Sequence, residues 1–163
     1  MEKTKQNDRC IYINENTKIE TLKKEFNEKY PYLHLRIGVY ELVTRKIKKG
    51  FFFKKEEKKW RILRSLDDDS KTLAEVRIAG SGGEISISGN KHVKVFRKEF
   101  DTLFGLVASV ACIEKDDSVV HLFPIEQTFS QTNKYCEAHN CLKRRYFELS
   151  KYLTNKSYIE RYF

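Results

Sequence analysis

The sequence predicts an α+β fold: two repeated βαβ modules with added antiparallel strands, followed by a C-terminal helical extension. Three observations carry that expectation. First, sliding the chain by 74 residues lays Ile11, Ile13 and Asn16 over Ile85, Ile87 and Asn90. The same shift lays Ile19, Leu22, Lys24, Glu25, Phe26 and Tyr30 over Val93, Phe96, Lys98, Glu99, Phe100 and Phe104. Recurrence at this size points to one small unit used twice. Second, hydrophobic spacing inside each copy switches from alternation to a three-to-four-residue period, which predicts strand then helix. Third, Gly80-Ser81-Gly82-Gly83 separates the copies and reads as a flexible linker.

Each element follows in order. Ile11 and Ile13 mark the first strand, and Asn16 stands where a side-chain cap would satisfy the first turn of a helix over Ile19, Leu22, Phe26 and Tyr30. Pro31 stops that helix, and residues 32–37 resume as a strand. Two hairpins are expected next, turning at Lys49-Gly50 and at Glu56-Glu57, with Phe51-Phe52-Phe53 and residues 60–63 as strands. Thr72 and Glu75 have the spacing of a capping box and predict a short helix. The second copy repeats the pattern, with Asn90 as cap, Gly105 as stop, and strands over 106–112 and 118–123. From Pro124 onward the chain reads as helix, with Leu142, Tyr146, Leu149 and Leu153 on one stripe. The large apolar side chains among residues 158–163 are expected to dock on the body of the protein or on a partner. The expected organisation is therefore a first module over 10–66 carrying the basic hairpins, a second over 67–123, and the helical extension over 124–163.

With 163 residues and 40% hydrophobic content, the chain can bury a core. No stretch reaches the length of an apolar membrane span, and residues 1–9 lack an apolar signal region. Cys10, Cys112, Cys136 and Cys141 are too few and too uneven for a secreted disulfide framework. These readings predict a cytoplasmic protein with reduced thiols and no membrane partner. Lys outnumbers Arg by 22 to 10, and Asn, Ile, Phe and Tyr are abundant. That usage suggests an AT-rich bacterial or mobile-element gene.

The segments over 11–37 and 83–110, with Lys71-Thr72-Leu73-Ala74-Glu75-Val76-Arg77 between them, resemble a family of small proteins, mostly from Bacteroidetes. In that family a strand, a K-E-F helix ending in Phe-Pro or Phe-Gly, and a second strand recur around a K-T-L-x-E-[IV]-R segment. The resemblance covers about half the chain and implies the duplicated βαβ fold. It carries over no catalytic residue. The stretch over 45–64 and the C-terminal extension depart from the family pattern, and a specialised function is expected there.

The charge is localised. Of the net +9, residues 41–64 hold +7, because ten Lys and Arg face only Glu41, Glu56 and Glu57. The cations are Arg45, Lys46, Lys48, Lys49, Lys54, Lys55, Lys58, Lys59, Arg61 and Arg64, interleaved with Phe51-Phe52-Phe53 and Trp60. Such a mixture suits nucleic acid, where cations take phosphates and rings stack on unpaired bases. It also suits an edge strand whose lysines discourage aggregation, with the rings turned into the core. Lys143, Arg144 and Arg145 form a second basic cluster, expected on the tail helix and able to share a groove with the first if the tail packs beside module one.

Catalytic and metal chemistry are not expected. Cys136-x-x-His139-x-Cys141 matches no usual zinc spacing, and residues five apart on a helix point away from each other. A fourth ligand would have to come from Cys10, Cys112 or His121. Asp67, Asp68 and Asp69 are explained by the helix that follows them. His34, His92, His121 and His139 show no spacing with a nucleophile, and the glycine run lacks a phosphate-loop pattern. The predicted function is non-catalytic docking on RNA or a ribonucleoprotein, without cofactor or metal. The alternative is a mobile-element inhibitor of a host RNA-guided nuclease, acting on a protein target or on guide RNA.

Overall fold

The computed structural model describes residues 9–49, 54–66, 68–123, 126–146 and 158–162. For residues 43, 45, 47–49, 54–58, 60–63, 123 and 158–162 that description is of the backbone alone. The fold is α+β. Its elements are β1 (Ile11–Ile13), α1 (Ile19–Lys29), β2 (His34–Lys49), β3 (Lys54–Ser65), α2 (Leu73–Val76), β4 (Ile85–Ile87), α3 (Val93–Phe104), β5 (Val107–Ile113), β6 (Val119–Phe123), α4 (Phe129–Ala138) and β7 (Tyr158–Tyr162). Strand, helix, strand, strand, helix thus occurs twice in succession before β7.

The two successions share their sheets. β1 pairs antiparallel with β4, and a five-stranded sheet has the order β3-β2-β5-β6-β7. β2 and β5 lie antiparallel at its centre, from His34 opposite Ala111 to Gly38 opposite Val107. α1 packs on β2 and α3 on β5, burying Phe26, Phe96, Phe100 and Phe104 with Leu35, Ile37, Ala108 and Val110 in one continuous core. Phe129 of α4 lies within 5.5 Å, ring to ring, of Phe26, Tyr30 and Phe96, so it joins both successions.

The helix starts depart from expectation. Asn16 and Asn90 do not cap α1 and α3; Lys18 and His92 hold those positions, without side-chain bonds. Backbone supplies the acceptors instead. Ile19 and Glu20 donate to the carbonyls of Lys71 and Asp69, and in return Leu73 and Ala74 of α2 donate to Thr17 and Glu15. α3 and α4 are joined the same way: Val93 donates to Gln127, while Phe129 and Ser130 donate to Lys91 and Gly89. Thr72 and Thr128 complete the arrangement as capping boxes with Glu75 and Gln131. The free amides of four helix starts are thereby met inside the fold.

Residues 80–83 are not a loose linker. Gly82 donates to the Leu103 carbonyl at 2.8 Å, and a Cβ on Gly80, at φ 86°, would come within 2.4 Å of that carbonyl oxygen. The glycines let this segment lie directly on the end of α3.

The tail also differs from the single helix expected from Pro124 onward. α4 ends at Ala138, residues 141–145 are not helical, and β7 adds to the sheet in parallel with β6, from Val119 opposite Tyr158 to Phe123 opposite Tyr162. Asn140 stops the helix by taking φ 59°. Its amide bonds Glu137 and that of Cys141 bonds Cys136, forming a Schellman turn. Leu149 and Leu153 of the expected stripe lie outside the described residues. Among the described residues, no helix is long and apolar enough to cross a membrane.

Candidate nucleic-acid interface

One hairpin replaces the two expected. β3 runs without a break through Glu56 and Glu57, where a turn was predicted. Two glutamates supply none of the turn chemistry of Gly, Asn or Pro, and pairing with β2 continues through them, Glu56 opposite Ile47 and Glu57 opposite Lys46. Phe51-Phe52-Phe53 lies outside the described residues.

β2 pairs with β5 only as far as Gly38, whereas its pairing with β3 continues from Val39 opposite Arg64 to Lys49 opposite Lys54. Eleven successive residue pairs form a two-stranded ribbon projecting beyond the sheet. At about 3.4 Å per residue, the ribbon is roughly 35 Å long.

The register sets the ribbon's electrostatics. Arg45 lies opposite Lys58, Lys48 opposite Lys55, and Lys49 opposite Lys54. Like charges directly opposed on neighbouring strands destabilise a sheet. Relief within the hairpin is partial: Lys46 lies opposite Glu57, and Arg64 is 2.7 Å from Glu41.

Alternation puts Tyr40, Leu42, Thr44, Lys46, Lys48, Lys55, Glu57, Lys59, Arg61 and Leu63 at positions on one face of the ribbon. Of these, Tyr40, Leu42, Thr44, Lys46 and Lys59 are exposed, with Leu42 66% accessible. Trp60 and Val43 are register partners on the other face.

At the base of this hairpin lies a feature the sequence reading missed. Tyr40, Val107 and Ala108 form an open groove of about 330 Å³ with Lys94, Arg97, Lys98 and Asp101 of α3. The signal was present as three cations spaced three and four residues apart, which share one helix face. Lys94 also pairs with Glu126. The ribbon and α3 therefore present basic groups around an exposed Tyr40.

The second basic cluster is placed elsewhere. Lys143, Arg144 and Arg145 are not on a helix, because the turn at Asn140 has already ended α4. Leu142 donates to Ile113 at 2.7 Å and Arg144 pairs with Asp117 at 3.3 Å. This anchors the segment at the far end of β5 from Val107, where the ribbon departs. The two clusters do not form one groove.

The sheet face turned away from α1 and α3 carries a buried polar chain. Arg36 Nη1 is 2.8 Å from His121 Nε2, and Ser109 Oγ is 3.1 Å from His121 Nδ1. Guanidinium only donates, so Nε2 accepts and the proton sits on Nδ1, which donates to Ser109. The serine hydroxyl therefore meets a donor where a nucleophile would need a base. Burial, then Arg36, pushes His121 down to about 4. Asp69 holds Lys23 at 2.6 Å and accepts from the Tyr146 hydroxyl.

The cysteines correct a further expectation. Cys136 and Cys141 do not diverge, because the Schellman turn folds the chain back between them. With Cys112 they bring three buried sulphurs within 4.8 Å of one another. His139 stays outside, exposed and stacked on Tyr135 at 3.8 Å.

No family model, curated protein or solved structure matches the chain. Its geometry alone carries the functional reading.

Proposed function

We propose that this protein is a non-catalytic RNA-docking protein that inserts its basic ribbon against the phosphates of an RNA, free or within a ribonucleoprotein. One observation carries the reading: three pairs of like cations are directly opposed along a hairpin that projects from the body. An arrangement that costs stability in isolation is relieved by a polyanion. An edge protected against aggregation needs cations, but it does not need them facing each other across two strands. The groove at the hairpin base extends the surface, with the exposed Tyr40 beside Lys94, Arg97 and Lys98. The neutral, fully engaged His121 and the occupied Asp69 favour binding without turnover.

The test is equilibrium binding of the full chain to single-stranded RNA and to duplex DNA, by fluorescence anisotropy over a salt series. RNA affinity should fall with salt at a log–log slope of about −0.7 for each phosphate neutralised on a single strand. Replacing Lys48, Lys49, Lys58 and Lys59 together by Glu should abolish binding while the chain stays folded by circular dichroism. Salt-independent binding, or unchanged affinity of the folded variant, overturns the proposal. If neutral substitutions there leave RNA affinity unchanged and make the chain self-associate, the cations are edge protection instead.

A further inference from the structure

We infer that Cys112, Cys136 and Cys141 form a three-thiolate site for a thiophilic d10 cation, zinc(II) or copper(I), that ties the end of α4 to the centre of the sheet. The three residues come from β5, from the last turn of α4 and from the residue after the Schellman turn, and all are buried. In that turn the third residue counted back from the helix end and the third beyond it ordinarily make an apolar contact, and here both are cysteine. The third thiol comes from β5, which the Leu142 to Ile113 backbone bond brings alongside Cys141.

The spacing suits ligation. Cys112 and Cys141 sulphurs are 3.2 Å apart, and all three lie within 4.8 Å. Metal–sulphur bonds of about 2.3 Å put tetrahedral thiolates about 3.8 Å apart and trigonal ones about 4 Å apart. The Cys112–Cys141 pair would have to open by about 0.6 to 0.8 Å to reach those separations. Without a cation the thiols of Cys112 and Cys136 hold their protons: Cys112, drawn down by Cys136 but opposed by Cys141 and burial, is pushed up to about 12, and its neighbours and burial raise Cys136 as well. Binding would exchange those protons for the metal and add the binding free energy to folding.

His34 is the neighbour that fits such a cluster, as a donor and not as a ligand. Its Nδ1 is 3.2 Å from the Asn27 amide nitrogen, which also donates to Leu33 at 3.0 Å. Nδ1 therefore accepts and the proton sits on Nε2, which is buried with no hydrogen-bond partner. A protonated nitrogen cannot ligate. His34 lies opposite Ala111, the residue before Cys112 on β5. Three thiolates around zinc(II) carry a net negative charge, and an orphaned N–H beside them offsets it. Among the described residues, no fourth Cys, His, Asp or Glu joins the three within 4.8 Å. Copper(I) is satisfied by three soft sulphurs, whereas zinc(II) would take one exogenous ligand.

The full chain, purified without chelator, is analysed for metal, and the reduced apoprotein is titrated with zinc(II), cobalt(II) and copper(I) in turn. About one equivalent per chain is expected, with sulphur-to-cobalt charge-transfer absorption as the reporter of thiolates. Retention of copper against a copper(I) chelator assigns copper, and tetrahedral cobalt bands with preferential zinc retention assign zinc. Cys112→Ser and Cys136→Ser should lose the metal, while Cys10→Ser keeps it. The cobalt spectrum of the parent chain needs no substitution, so misfolding of a variant does not blunt the test. Absence of thiolate absorption with all three ions overturns the site, as does full metal retention by C136S. An intact mass showing a Cys112–Cys141 disulfide in the freshly purified protein overturns it too.

Discussion

His121 is held neutral between a guanidinium and a hydroxyl, and this makes stability depend on pH in a specific window. Unfolded, the ring takes a proton below its ordinary value of 6.5; folded, it does so only near 4. Between those values the unfolded chain binds more protons, so stability is full above 6.5 and falls as the pH drops towards 4. The loss from this group should reach about 3 kcal/mol. Urea melts at pH 7.0 and 4.5 should show a smaller loss for His121→Gln than for the parent; equal losses would remove the assignment. On the ribbon, Lys46 and Lys59 are exposed on one face. Replacing both by Glu should weaken RNA binding at least tenfold at low salt without altering the melting temperature by more than a few degrees. Anisotropy and thermal melts of the same preparation check both halves of that prediction. The cations themselves were legible, because charge concentration is visible without a fold. Arg36, Ser109 and His121 were not, since strands distant in sequence bring them together.

At the element scale, helices start by exchanging backbone bonds with one another. Sequence showed the capping-box spacing at Thr72 and Glu75 but credited Asn16 and Asn90 with a task that the carbonyls of a neighbouring segment perform. Tertiary backbone acceptors leave no residue signature, so that exchange could not be read beforehand. Thr72→Ala and Thr128→Ala should each cost about 1 kcal/mol by removing a cap. Chemical denaturation should register both losses, and a silent T128A would show that backbone exchange alone sustains α4. The hairpin reading erred because 16 residues of β2 exceed an ordinary strand, and local turn residues were sought where none were required. The tail reading erred at Asn140: an apolar stripe was followed through a residue whose left-handed conformation ends the helix. The same turn makes neighbours of Cys136 and Cys141, which helical periodicity separates.

For the whole molecule, one core spans both successions of elements, and the sequence located much of it through Phe26 and Phe100. Both are fully buried, Phe26 against Tyr30 and Phe129, and Phe100 against Phe96 and Phe104. Phe26→Ala and Phe100→Ala should each destabilise by about 3 to 5 kcal/mol. Melting curves that overlay the parent would sink the claim of a shared core. The hairpin should open more readily than this core, since its opposed cations repel and, among the described residues, no other strand pairs with it beyond Gly38. Amide exchange in 39–49 and 54–64 should therefore be fast at low salt and slow in the presence of RNA, with the centre of β5 unchanged. Uniform protection in the free protein would contradict the repulsion. β2 also has a mechanical consequence. It runs unbroken from the middle of the sheet into the projecting hairpin, so a partner pulling along its axis would load the His34 to Gly38 pairing with β5 in shear. Bonds loaded in shear share the force and yield together, while bonds that are peeled break one at a time. The molecule is thus anchored to resist being dragged by its own hairpin.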